Sequence, residues 1–255
     1  MALLELKNVS KFFGSLAALK DINLEINQGE LVGLVGPNGS GKTTLFNVIS
    51  GFYHPSEGEI FYDGKRIAGL RPDQIASRGL IRTFQSNVLF KDATALENVI
   101  RGCYLRTKAN SWQAFFGTRG YRKEEKEIVQ RAEEMLDFFG LSEVRDVLAD
   151  ELPHGHQRSL GLAVAVAANP KLLLIDEPVS GMSEEESTVA VDHIRELANR
   201  ITVILVEHHV KTVVAVCPRV IVLNFGHTLA DGKPEEVMSQ KNVIEAYLGT
   251  EEVVK

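Results

Sequence analysis

The stretch Gly36-Pro37-Asn38-Gly39-Ser40-Gly41-Lys42-Thr43 sets glycines, an ammonium and a hydroxyl in the spacing G-x-x-x-x-G-K-[ST], with no mismatch. Glycines let the backbone curl until several N–H groups converge on one anion, and a helix opening there adds the positive end of its dipole. Lys42 supplies a cation for the outer phosphates of a nucleoside triphosphate, and the Thr43 hydroxyl can ligate Mg²⁺. With the adjoining Thr44, these residues form the expected nucleotide cradle. Far downstream, Leu172-Leu173-Leu174-Ile175 runs into Asp176-Glu177-Pro178. Asp176, at the end of a buried strand, is placed to hold Mg²⁺ directly or through water. Glu177 beside it can polarise the water that attacks a γ-phosphate. A glycine turn or a solvated acidic pair, taken singly, has an ordinary structural explanation. The two together point to hydrolysis of a nucleoside triphosphate.

The surrounding elements suit that placement. Glu30-Leu31-Val32-Gly33-Leu34-Val35 reads as a buried strand that ends in the glycine-rich turn, and Thr43 to Ser50 reads as the helix after it, stopped by Gly51. Before them, Leu4, Leu6 and Val9, then Leu19, Ile22, Leu24 and Ile26, alternate with polar residues as in a half-buried sheet, and Asp63-Gly64 reads as a tight hairpin turn. From about Thr94 to Ala168 the signal is helical: Ile128, Ala132, Met135, Leu136 and Phe139 share one face, and Gly140 closes that helix. Strand signals return at 172–175, 202–206 and 220–223, with a helix from Glu184 to Asn199. The pattern predicts an α/β fold. A core of mainly parallel sheet with an N-terminal antiparallel β subdomain (1–93 and 169–255) carries an inserted α-helical lobe (94–168) within a single ATPase domain.

Composition bounds the partners. The 255 residues are 44% hydrophobic and 24% charged, ordinary for a globular enzyme, and the net charge of -6 does not favour nucleic acid. Cys103 and Cys217 stand far apart in no metal-binding spacing and read as reduced thiols. The N-terminus lacks a secretory pattern, and no run approaches the roughly 18 apolar residues of a membrane helix. A membrane role would have to come through a partner.

With both nucleotide motifs in place, the chain resembles the ATP-binding cassette family along nearly its whole length. Phe13, before Gly14, matches the aromatic that stacks on adenine in that family. Gln85, in Arg82-Thr83-Phe84-Gln85, matches the glutamine that links the nucleotide site, its Mg²⁺ and its water to the helical lobe. Leu152-Pro153-His154-Gly155-His156 stands at the signature stretch, Ser180-Gly181-Met182-Ser183 at the dimer-contacting loop, and His208 at the switch histidine. The resemblance implies a head-to-tail pair of cassettes sandwiching ATP and Mg²⁺, each site combining one phosphate loop with the other subunit's signature. Glu177 would then be the general base, with Lys42 and His208 steadying the γ-phosphate and Gln85 managing metal and water.

The chain departs from the family's Leu-Ser-Gly-Gly-Gln signature: Pro153 replaces the serine, His154 the first glycine and His156 the glutamine. Gly161, Val164 and Ser183 also stand where Glu, Arg and Asp or Asn are usual. These changes touch the site completed for a partner, not the site the chain owns. Within the family, Gly79-Leu80-Ile81-Arg82-Thr83-Phe84-Gln85, Leu152-Pro153-His154-Gly155 and the closing Ala246-Tyr247-Leu248-Gly249 resemble cassettes of branched-chain or other hydrophobic amino-acid importers. That likeness implies membrane permease subunits, a second ATPase subunit, a solute-binding protein acting indirectly, and a peripheral place on the cytoplasmic face of the plasma (inner) membrane. The aromatics of Ser111-Trp112-Gln113-Ala114-Phe115-Phe116 would cap their own lobe or meet a membrane partner. A lone cassette of iron–sulfur cluster assembly is the alternative.

Overall fold

The structure, a computed structural model, describes residues 2–83, 89–106, 119–207 and 210–248. Gln85, His208, the aromatic stretch 111–116 and Gly249 lie outside the described residues. The described residues pack as two compact units. One gathers those of Met1–Leu80, Lys171–Glu177 and Arg195–Lys255, and the other those of Ile81–Pro170 and Pro178–Ile194.

The first unit holds two sheets. Strands β1 (Ala2–Phe13), β2 (Leu16–Asn27), β4 (Glu57–Tyr62) and β5 (Lys65–Arg66) form an antiparallel sheet in the order β2-β1-β4-β5. The β4–β5 turn uses Asp63 and Gly64 at φ 49° and 70°, the left-handed pair that matches strand twist in a two-residue hairpin. The second sheet runs β10-β9-β3-β8-β7-β6, built from β3 (Leu31–Val35), β6 (Leu80–Arg82), β7 (Leu172–Asp176), β8 (Thr202–Val206), β9 (Arg219–Asn224) and β10 (His227–Gly232). Its centre is parallel (β9-β3-β8-β7), and β10 closes the edge antiparallel to β9. Every residue of β3, β7 and β8 is buried, which is why these strands read as unbroken apolar runs rather than alternating ones.

Between the sheets lies helix α1 (Lys42–Ile49), whose Leu45, Phe46 and Ile49 join the core of Val9, Leu19, Ile22, Ile60 and Tyr62. Phe46 is fully buried, so its removal would cost about 3–5 kcal/mol and loosen the helix that carries the phosphate loop. At the sheet edge Arg219 donates to both oxygens of Asp231 at 2.7 Å, to Glu30 at 2.9 Å and to the Glu25 carbonyl at 3.0 Å.

The second unit is helical. Helices α3 (Ala95–Cys103), α4 (Arg119–Phe138) and α5 (His154–Ala167) pack together, after the short α2 (Pro72–Ala76) of the first unit. The apolar face expected for α4 is inward: Ile128, Ala132, Leu136 and the following Phe139 are buried, Met135 is half-buried, and Gly140 at φ 68° turns the chain out. Helix α3 opens with a capping box, Thr94 accepting from the Glu97 N–H at 3.2 Å and Glu97 from the Thr94 N–H at 2.9 Å. Buried Asn98 donates to the carbonyls of Phe90, Ala93 and Thr94 and accepts the Phe90 N–H at 2.8 Å, which fixes the turn before the helix. Gly102 lets α3 approach α5, since a Cβ there would overlap the Val164 carbonyl. The chain finishes with α6 (Glu184–Ala198), α7 (Val210–Val216), α8 (Pro234–Met238) and α9 (Lys241–Leu248). Among the described residues, no helix is long and apolar enough to cross a membrane.

Candidate active site

The phosphate loop is set by backbone before any side chain is considered. Gly36, Gly39 and Gly41 take φ values of 152°, 76° and 110°, conformations that L side chains resist. Space is as restrictive as torsion: a Cβ on Gly36 would collide with the Leu223 carbonyl and sit 2.7 Å from Ser40 Oγ, and one on Gly41 would lie 2.8 Å from the Ala18 carbonyl. The curl is tied down by the Ser40 N–H to the Pro37 carbonyl at 3.1 Å. Behind it, the Gly226 N–H donates to the Ser40 carbonyl at 2.9 Å and the Gly226 carbonyl accepts from Lys20 at 2.8 Å. This brace was not legible in the sequence, where the strand signal ends at Leu223. The β9–β10 turn places Phe225 at φ 44° and 82% exposed, a bulky residue where Asn or Gly is usual.

Helix α1 then starts at Gly41 with no side-chain cap and no acidic residue in its first turn. Its end keeps the positive potential that a phosphate needs. Buried Lys42 donates from Nζ to the carbonyls of Gly36 at 2.6 Å and Pro37 at 3.0 Å, so its ammonium is folded back over the loop. Ser40 Oγ is buried with no partner among the described residues, an orphaned donor inside the cradle. Thr43 is exposed on the open side and Thr44 half-buried beside it. Glycine positions that a Cβ would fill, an uncapped helix end and an orphaned hydroxyl fit a chain of phosphates.

The carboxylates come from the neighbouring strands. Asp176 and Val206 are paired in the β7–β8 register, and β8 in turn pairs β3, whose end is the phosphate loop. Asp176 and Glu177 therefore meet the loop at the carboxyl edge of a parallel sheet, where ligands bind in such folds. Both are buried, and Glu177 takes φ 51° with its N–H on the Val206 carbonyl at 2.9 Å. A left-handed glutamate costs roughly 1–3 kcal/mol, and strain of that kind concentrates where a side chain must be aimed. Glu207, buried at the end of β8, adds a third carboxylate that the sequence analysis did not single out. No group of three His, Cys, Asp or Glu among the described residues could hold a metal ion.

Phe13 is 43% exposed at the end of β1, edge-on to Tyr53 with ring centroids 5.2 Å apart, and Lys11 lies 5.1 Å from its centroid. The structure thus gathers Phe13, Gly36 to Thr44, Asp176 and Glu177 in one unit.

The signature stretch and the loop 180–183 belong to the other unit. Leu152 is buried, Pro153 is the N-cap of α5 without a side-chain cap bond, and His154, Gly155 and His156 form the first turn. Gln157 spans the start, its N–H on the Pro153 carbonyl and its Nε2 on the Leu152 carbonyl, both at 3.0 Å. Ser183 caps α6 despite standing where the family has an acidic or amide side chain, its Oγ accepting the Glu186 N–H at 3.2 Å.

Residues 19–180 match the family model described as ABC transporter, and residues 227–253 match the model described as Branched-chain amino acid ATP-binding cassette transporter. The chain is 37% identical over 249 residues to the High-affinity branched-chain amino acid transport ATP-binding protein BraF of Pseudomonas aeruginosa, covering 97% of this chain and 98% of that one. The corresponding protein LivG of Escherichia coli gives the same identity and coverage. The crystal structure of the ADP conformation of MJ1267, an ATP-binding cassette of an ABC transporter, superposes with a TM-score of 0.84 at 32% identity, over 98% of this chain and 99% of that one. A dimeric, post-hydrolysis structure of the ATP-binding cassette MJ0796 bound to ADP and Pi gives 0.77 at 28%, over 91% and 98%.

Proposed function

The chain belongs to the ABC transporter family as an ATP-binding, ATP-hydrolysing cassette, and from that premise we propose that it powers import of branched-chain or other hydrophobic amino acids through separate membrane permeases. The observation that carries the substrate class is the end-to-end likeness to branched-chain amino acid transport ATP-binding proteins, together with the match of residues 227–253 to that group's own model. The relatives do not favour the alternative of iron–sulfur cluster assembly.

In this reading the adenine stacks on Phe13 and the phosphates enter the Gly36–Gly41 curl, where backbone N–H groups and the start of α1 receive them. Lys42 exchanges its two carbonyl partners for phosphate oxygens, a trade of neutral acceptors for charged ones that favours the bound state. Thr43 and Asp176 would hold Mg²⁺, which when bound neutralises charge developing on the phosphates. Glu177 takes the proton of the attacking water. Gln85 and His208, outside the described residues, keep their family roles of managing metal and water and of sensing the γ-phosphate.

The stretch Leu152 to His156 serves a second cassette, and the pair sits on permeases at the cytoplasmic face of the plasma (inner) membrane with a solute-binding protein acting indirectly. Pro153 removes the hydroxyl that would reach the partner's phosphate, which favours a heterodimer whose more active site is the one built on Lys42 and Glu177. The test is to trap a tagged Glu177→Gln chain with ATP and Mg²⁺, purify it from detergent-solubilised source cells and identify its partners. Two polytopic permeases and a second cassette are expected; a set of soluble partners alone would overturn the transport reading.

A further inference from the structure

We infer that Glu186 is a positioning residue for the signature stretch, its carboxylate locking Gly155 of α5 to the loop that ends at Ser183. The inference rests on the ATPase reading above and extends it to a residue outside the family's motifs. The first observation is the cap of α6: the Ser183 N–H donates to Glu186 Oε2 at 2.9 Å, and the Glu186 N–H donates to Ser183 Oγ at 3.2 Å. A capping box needs no more than that.

The second observation is what the other oxygen does. Glu186 Oε1 lies against Gly155, where a Cβ would overlap it and come within 2.7 Å of Cδ. Gly155 is buried, yet its φ is not in the left-handed region, so torsion does not demand a glycine there. The space a Cβ would need is taken by the carboxylate, which its bond from the Ser183 N–H holds there. Helix α5 has no side-chain cap of its own at Pro153, and an anion beside its first turn complements the dipole end that the proline leaves bare.

The charge is present when it is needed. The Ser183 backbone and hydroxyl hold the Glu186 carboxyl below its ordinary value, and His156 and His154 add to this when protonated. Glu186 is therefore an anion at neutral pH. One side chain fixes, relative to each other, the two segments that the family presents to a partner's nucleotide. A shift of about 1 Å in such a constellation is enough to cost on the order of a hundredfold in rate.

The experiment uses the complex that purifies with this chain. Its ATPase rate is followed against MgATP for wild type, Glu186→Ala, Glu186→Gln, Gly155→Ala and the double Gly155→Ala/Glu186→Ala. Thermal melting and binding of a fluorescent ATP analogue to the isolated chain are measured alongside. Each alanine variant should lower kcat about tenfold, because the stretch is then held less exactly, with the chain's own nucleotide affinity unchanged and melting lowered by no more than the few degrees that one helix cap is worth. Glu186→Gln should recover most of the rate, because an amide oxygen still accepts from Ser183. The double variant should be no worse than the worse single one, because the alanine then fills the space the carboxylate left. An unaffected kcat in Glu186→Ala, or losses that multiply to about a hundredfold in the double variant, would overturn the inference while leaving the ATPase reading intact. A wild-type complex that neither binds nor hydrolyses ATP would sink both.

Discussion

In the function proposed above, the two units solve the same problem, presenting groups to phosphate, with different materials. In the nucleotide unit the groups are mostly backbone, and their placement follows from glycine torsions and buried strands: Gly36 and Gly41 have no room for a Cβ, and β3, β7 and β8 are buried at every residue. In the helical unit the groups are presented by a helix start whose own cap is a proline, and their placement depends on a side chain, Glu186, reaching from another helix. Backbone solutions tolerate few residue types at their key positions. A solution that leans on one side chain leaves its neighbours free to vary. In the proposed reading, that difference would leave room for Pro153, His154 and His156 in a chain whose phosphate loop has no mismatch.

The sharpest test of the contrast is chemical. Glu177→Gln should lower the ATPase rate about 10²–10⁴-fold while leaving nucleotide binding in place, because only the base is lost. Measuring turnover and ATP-analogue affinity on the same preparation separates the two, and a fall in affinity matching the fall in rate would count against the assigned role. Next in size, Gly36→Ala should cost about 2–4 kcal/mol in denaturant unfolding, since torsion and the Leu223 carbonyl both oppose it. A stable Gly36→Ala protein would break the claim that the loop is fixed by backbone. In the helical unit, Pro153→Ser should raise stability by about 0.5 kcal/mol, a new helix cap of about 1 kcal/mol less the rigidity that proline gives up. A melting temperature that falls instead would show that Pro153 is doing more than tolerating its site.

The smallest effect concerns the buried thiols. Burial pushes the Cys217 thiol up to about 12 from an ordinary 9.0, against a weaker opposing pull from Arg195. Burial also raises Cys103, with Arg131 opposing. Both should resist iodoacetamide in the native protein at pH 8 and react on unfolding. Because the folded value of Cys217 is the raised one, its contribution to stability is present below pH 9.0 and is lost as pH rises from there towards about 12. Rapid native alkylation would contradict the burial.

Much of the nucleotide unit was legible because its information is contiguous. One stretch holds the whole cradle, the apolar runs mark buried strands, and Asp63-Gly64 marks its hairpin. The brace behind the loop was not, because Ser40 and Gly226 meet only once β9 and β10 pair, and Phe225 stands where the first residue of such a turn is usually Asn, Asp or Gly. Glu207 escaped notice for a similar reason, as a lone glutamate after an apolar run becomes significant only once it is seen to be buried, next to the Val206 that pairs with Asp176. In the helical unit the face of α4 was readable from its period. The partnership of Gly155 with Glu186 was not, since nothing local to either residue refers to the other.

The measurement that bears most directly on this division of labour is ATP hydrolysis by the purified complex with one phosphate-loop lysine removed at a time. The account predicts that Lys42→Ala abolishes most of the turnover, about a hundredfold or more, while the matching change in the second cassette costs far less. Equal losses from the two changes would contradict it.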